Sequence, residues 1–137
     1  MKDILANPVT DILQKSLDAA SLRQRAISNN ISNINTPNYK RQLVSFEEEL
    51  SNYLENPSGK IPLKITNPKH LNFVRQNYAD IDPRLESDNA ILRTDGNNVD
   101  IDLELAVLAE NIVKFNTLSQ TIAKKFSMLS SVIRGGK

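Results

Sequence analysis

LAVLAENIVKFNTLSQTIAKKFSMLSSVI, residues 105–133, carries one apolar line: Leu105, Leu108, Ile112, Phe115, Ile122, Phe126, Leu129 and Ile133. The steps alternate between three and four residues, and Ser119 is the single polar break in the line. This spacing repeats every seven residues and keeps one face of a helix apolar. A matching line lies near the other end: Leu13, Leu17, Ala20, Gln24, Ile27, Ile31 and Ile34, with Gln24 as its polar break. Two seam-bearing helices at the ends of one chain predict a mainly α fold. The long N- and C-terminal helices pair as an antiparallel-type coiled coil, and the segment between them is a loop-rich arm with short strands.

Helix boundaries follow from local chemistry. Asn7 is the expected N-cap of the first helix and Pro8 its first residue, since proline has no N–H to leave unpaired there. Thr36-Pro37 ends that helix near Ile34 or Asn35, because the residue before proline is pushed out of the helical region. At 1.5 Å per residue the first helix is roughly 40 Å long. The second helix is expected to begin near Asp100 or Asp102 and to stop at about Arg134, before Gly135-Gly136. Its acids (Asp100, Asp102, Glu104, Glu110) come early and its bases (Lys114, Lys124, Lys125, Arg134) late, which suits the helix dipole. Ile12, Ala19, Leu22 and Ala26 lie off the first seam. They fit either apolar residues tolerated on a surface or a helix contacted from two sides.

The expected organisation is a paired-helix core, residues 1–38 plus 99–137, and an arm, residues 39–98. In the arm, residues 45–56 form an expected short helix, and 60–66 and 71–75 expected short strands. Asp95-Gly96 is a turn signal.

The chain has 137 residues and a net charge of +1. That balance gives no broad attraction for nucleic acid. Cysteine is absent, which removes disulfides and thiolate chemistry. His70 is the one histidine, so histidine dyads are excluded and a zinc cluster lacks its usual ligands. Asp95, Asp100 and Asp102 do not make an EF-hand loop, because Gly96 directly follows the first acid instead of standing at the sixth position. They are read as turn and N-cap residues. No Gly-rich phosphate loop exists. The residues therefore point to no catalytic site, no cofactor, no metal and no small-molecule substrate. No segment is apolar for long enough to span a bilayer, and the N-terminus lacks the apolar stretch of a cleaved secretory signal.

Asparagine is abundant, with sixteen residues, five of them within 29–38. Asparagine is a poor residue for a helix interior, because its amide competes for backbone hydrogen bonds. Asn29, Asn30 and Asn33 at the end of a helix are expected to bond backbone groups or neighbouring chains, and to fix the exit direction of the chain.

The stretch Asn29-Asn30-Ile31-Ser32-Asn33-Ile34-Asn35-Thr36-Pro37-Asn38-Tyr39-Lys40 resembles the N-terminal signature of the bacterial flagellar axial proteins: rod, hook and hook-associated. Asn38 stands where that family usually has glycine, and asparagine tolerates the left-handed conformation better than most residues. A second block, Asp95-Gly96-Asn97-Asn98-Val99-Asp100-Ile101-Asp102 followed by residues 105–111, is similar to the lead into the C-terminal helix of rod proteins. Residues 46–50 (FEEEL), residues 66–71 (TNPKHL), the short length and the lack of a large middle domain resemble the proximal members of the flagellar basal-body rod family.

The resemblance implies a structural subunit that packs its terminal helices into a helical tube, transmits torque and encloses the export channel. It implies partners in other copies of the chain, other proximal rod subunits, the rod–MS-ring junction protein and the flagellar type III export gate. It places the protein in the basal body, on the periplasmic side of the cell envelope, exported without a cleaved signal. Another flagellar axial subunit is the alternative within the resemblance, and a non-flagellar coiled-coil adaptor is the one that the heptads alone allow.

Overall fold

The computed structural model describes residues 8–55, 81–90 and 93–135. Along the chain these form α1 (Pro8–Ser32), β1 (Gln42–Ser45), α2 (Glu47–Glu55), β2 (Arg84–Ser87) and α3 (Ile101–Ile133). The fold is mainly helical with one small antiparallel sheet. The expected Asn7 cap, the expected strands at 60–66 and 71–75, the 66–71 block and His70 lie outside the described residues.

The helix ends obey the chemistry of their residues. Asp100 caps α3: its side chain accepts from the backbone N–H groups of Asp102 (2.9 Å) and Leu103 (3.4 Å). Gly135, at φ 81°, closes the far end in the left-handed conformation. α1 stops at Ser32, slightly before the expected residue. Asn33 and Ile34 continue as turns, with the Ile34 N–H on the Ile31 carbonyl at 3.3 Å.

α1 and α3 run antiparallel. Asn97, just before α3, reaches the carbonyls of Asn33, Ile34 and Thr36 beyond the end of α1. Asn111, nearly three turns into α3, reaches back to Ala20 and Gln24. Two adjacent alanines divide the faces of α1. The carbonyl of Ala20 meets α3, whereas Ala19 packs against Phe46 and Ile81, with Leu50 and Tyr53 beside them. Small side chains here let both neighbours approach the helix backbone. The second side of α1 is therefore covered within the chain by its own arm.

β1 and β2 pair with Gln42 opposite Ser87 and Ser45 opposite Arg84. Neither strand is expected from the sequence. Each has four residues, and every residue of β2 is exposed, so no apolar alternation marks it. Lys15 fixes the return of the arm: its ammonium donates to the Ile81 carbonyl at 2.9 Å and pairs with Asp82 at 2.7 Å.

Candidate functional site

The asparagines of the two sequence blocks meet. Asn30, Asn97 and Asn98 are almost fully buried although they are polar. Burying an amide is unfavourable unless its donors and acceptors are paired, and here they are. Asn30 acts as a piece of strand. Its Nδ2 donates to the Gln42 carbonyl and its Oδ1 accepts from the Gln42 N–H, both at 2.9 Å. The Tyr39 hydroxyl adds a third bond to the same oxygen at 3.2 Å. Burial, and then the Glu104 charge, push the Tyr39 phenol above its ordinary pKa, so it remains a donor.

Asn97 closes α1. Its Nδ2 lies 3.0, 3.1 and 2.9 Å from the carbonyls of Asn33, Ile34 and Thr36. These acceptors lie at and just past the end of the helix, where carbonyls lack intrahelical partners. Its Oδ1 accepts from the Val99 N–H at 2.8 Å, which turns the chain toward α3. Asn98 ties the sheet instead: Oδ1 accepts from the Arg41 N–H at 2.6 Å, and Nδ2 donates to the Asp88 carbonyl at 2.8 Å. Asn33 bonds locally, with Nδ2 on the Asn29 carbonyl at 2.9 Å and Oδ1 accepting from the Thr36 hydroxyl at 3.2 Å. Asp95 accepts from the Asn97 N–H at 3.1 Å and pairs with Arg93 at 3.2 Å. Asn29, Asn35, Thr36, Pro37 and Asp102 expose their side chains to solvent. Of the expected signature residues, Asn30, Asn33, Tyr39, Asp95, Asn97 and Asn98 build the junction, and Asp100 starts α3.

Asn38 and Gly96 are packed face to face. Asn38 has φ 59° and Gly96 φ 78°, and the Asn38 N–H donates to the Asp95 carbonyl at 3.0 Å. A Cβ on Gly96 would lie 2.5 Å from Asn38 Oδ1. Gly96→Ala is expected to destabilise the chain by about 1–3 kcal/mol through left-handed strain and this clash. Asn38→Gly, at a position that already has positive φ, is expected to change stability by less than about 1 kcal/mol. Urea titration of both variants checks the pair; equal losses would refute the assignment.

The seam residues divide between two faces of α3. Asn111 meets α1 directly; on the same line of α3 Glu104 is buried, and Leu108, Leu118, Ile122 and Leu129 are partly buried. Asn111 donates to the Ala20 carbonyl at 2.9 Å and to the Gln24 side chain at 3.4 Å. Glu104 pairs with Arg41, so a buried carboxylate on α3 is held by the residue just before β1. Nothing local in the sequence pairs Glu104 with Arg41 or Asn111 with Ala20, because the partners are far apart along the chain. On α1, Ile27 is buried, Leu13, Leu17 and Ile31 are partly covered, and Gln24 is exposed; Ile34, just past the helix, is partly covered.

Leu105, Ile112, Phe115, Phe126 and Ile133 are not covered by α1, and their exposures run from 42% at Phe115 to 82% at Ile133. The face that α3 turns to α1 is thus rotated by one residue from the most apolar line of its sequence. The leftover line is an apolar stripe along α3, beside the face that α1 covers; Leu103, Val113, Met128 and Val132 are exposed elsewhere on the helix.

α2 is pinned by charge. Arg23 reaches Glu47, and Lys114 stands between Glu47 (4.0 Å) and Glu110 (2.7 Å). Burial pushes the Glu47 carboxyl up, but the hydrogen bond and charge of Arg23, with Lys114, outweigh it and hold the group below its ordinary pKa. A depressed folded pKa stabilises the fold above the unfolded value, and this contribution is lost as pH falls through the folded value. Acid titration is therefore expected to loosen α2 below about pH 4.5, and Glu47→Gln to flatten that part of the curve. An unchanged curve in Glu47→Gln would refute the role of this pair. Among the described residues, no cluster of His, Cys, Asp and Glu is arranged to hold a metal, and no helix is long and apolar enough to cross a membrane.

An antiparallel pair of terminal helices, joined through a buried asparagine junction and carrying an open apolar stripe, is a frame for assembly. The family described as "Flagella basal body rod protein" matches residues 12–40, which are most of α1 and the first half of the junction. The flagellar basal body rod protein FlgB of Bacillus subtilis is 35% identical over 127 residues, covering 91% of this chain and 92% of that protein. FlgB of Borrelia hermsii is 39% identical, covering 90% and 94%. FlgB of Salmonella typhimurium is 26% identical, covering 90% and 91%. The chain belongs to the FlgB family of flagellar basal body rod proteins. It is a structural subunit of the basal-body rod.

Proposed function

We propose that this subunit occupies the proximal end of the rod, and that its two terminal helices coil together and pack with neighbours into a helical tube. The tube transmits torque and encloses the export channel. Its partners are other copies of the chain, other proximal rod subunits, the rod–MS-ring junction protein and the type III export gate. The chain is exported to the periplasmic side of the envelope. The predicted seam residues, Leu13, Leu17, Gln24, Ile27, Ile31 and Ile34 on α1 and the 105–133 line on α3, carry the packing.

The observation behind this reading is the open stripe on α3. Five large apolar side chains stand at least 42% exposed on a helix whose neighbouring face is docked. Contiguous apolar surface of this kind marks an interaction site. The stripe also separates folding from assembly in an experiment. Ile112 is exposed in the single chain, so Ile112→Asp is expected to shift the urea midpoint by an amount equivalent to less than about 0.5 kcal/mol. Buried between subunits, the same carboxylate would be unpaired. A strain carrying Ile112→Asp as its sole copy is therefore expected to lose rod assembly and motility. Full motility in that strain would refute the role of the stripe.

A further inference from the structure

Asp95-Gly96 is the one Asp–Gly or Asn–Gly pair in the sequence. In an open chain such a pair has an intrinsic side reaction. The backbone nitrogen of the following residue attacks the aspartyl side-chain carboxyl, and glycine, with no side chain, hinders that attack least. Gly96 has no bulkier, slower substitute here. Its φ of 78° is left-handed, and a Cβ would lie 2.5 Å from Asn38 Oδ1. The junction thus requires a dipeptide that is chemically labile.

The same junction holds that dipeptide still. The Asp95 carbonyl accepts from the Asn38 N–H at 3.0 Å, and the Gly96 N–H donates to the Arg93 carbonyl at 3.1 Å. Both ends of the peptide unit that must turn for the attack are therefore bonded. The Gly96 carbonyl also accepts from the Lys40 ammonium at 2.7 Å. The carboxylate is tied as well: Oδ1 accepts from the Asn97 N–H at 3.1 Å, and Oδ2 pairs with Arg93 at 3.2 Å. The Arg93 and Asp95 side chains are 44% and 36% exposed, so water reaches them. Protection comes from bonding, not from burial.

We infer that Asp95 is a site of isoaspartate formation, and that the closed asparagine junction blocks this chemistry. Gly96 N bonds to Asp95 Cγ; the amide proton and the carboxyl hydroxyl leave together as water, and a succinimide ring results. Water then adds to one of the two ring carbonyls. Opening at the side-chain carbonyl restores aspartate. Opening at the main-chain carbonyl routes the backbone through Cβ and Cγ. Water is the only co-reactant, and it is returned in full. The isoaspartyl chain has one extra backbone atom just before Asn97, whose amide must reach three carbonyls at 2.9–3.1 Å from a fully buried position. Hydrogen bonds of this kind weaken steeply with misplacement. A chain altered at Asp95 therefore loses the seal on α1. Chains that stay open long before folding are altered, and chains that close promptly are spared.

The test compares the full chain with a synthetic peptide of residues 93–99 in one neutral buffer, and electron-transfer mass spectrometry counts isoaspartate at position 95. Reaction through an opened state is slowed by the cost of opening, so the full chain is expected to react at least about tenfold more slowly than the peptide. Asn98→Ala cuts the bonds to the Arg41 N–H and the Asp88 carbonyl without touching Asp95 or Gly96. It is expected to move the rate of the full chain toward that of the peptide, whether it loosens the junction or unfolds it. The isoaspartyl form, separated from the unaltered chain and refolded, is expected to have a lower urea midpoint. A full chain that reacts as fast as the peptide, a peptide that does not react, or an unchanged rate in Asn98→Ala would overturn the inference. So would an isoaspartyl chain with an unchanged midpoint. None of these outcomes touches the rod reading.

Discussion

Asn97→Asp is expected to cost more stability than Asn97→Ala, although aspartate is nearly the same shape. The amide nitrogen donates toward three carbonyls at 2.9–3.1 Å, and the amide oxygen accepts from Val99. Alanine leaves these groups unpaired in a site of 0% exposure, a loss of about 2–4 kcal/mol by the usual penalties for buried unsatisfied groups. Aspartate keeps the bond to Val99 but turns a carboxylate toward three carbonyl oxygens, which adds repulsion to the lost bonds. Urea unfolding ranks the two variants. Native-state hydrogen exchange places the damage: amides at 30–36 and 99–104 are expected to lose protection together. Loss confined to one block would mean that the two are not a single unit.

Arg41→Met is expected to destabilise the chain by about 3–5 kcal/mol, because it strands a buried carboxylate. The Glu104 side chain is 1% exposed, and its Oε2 has no hydrogen-bond partner among the described residues, so Arg41 is its main compensation. Adding Glu104→Leu to Arg41→Met is expected to recover most of the loss, since an apolar pair in place of a buried ion pair is often neutral or stabilising. A double-mutant cycle with thermal or urea melts checks this. Additive losses would show that the pair does not act through its buried charge.

The terminal helices were legible because each carries several turns of periodic apolar residues and strong end signals. Asp100 and Gly135 stand where the ends of α3 need them. The meeting of the asparagines was legible only in part. The 29–38 cluster announced bonding to backbone, and Asn30 and Asn33 do so. Nothing local told Asn97 that its acceptors lie more than sixty residues upstream. The sheet was illegible for a similar reason, since QLVS and RLES gain strand character only from each other and from the amide of Asn30. The heptad pattern of α3 pointed to its most apolar line. The chain turns a neighbouring line to α1 because Asn111 and Glu104 find polar partners there, in the Ala20 carbonyl and in Arg41.

The distance in sequence between Asn97 and the end it closes has a consequence in time. A chain that emerges in single file, from a ribosome or from a narrow channel, presents its residues one after another. Whichever end leads, α1 and Asn97 emerge more than sixty residues apart, and the last turn of α1 stays open until both have appeared. The junction is thus a delay written into the order of residues. Either way, the helix is sealed only when most of the molecule has arrived.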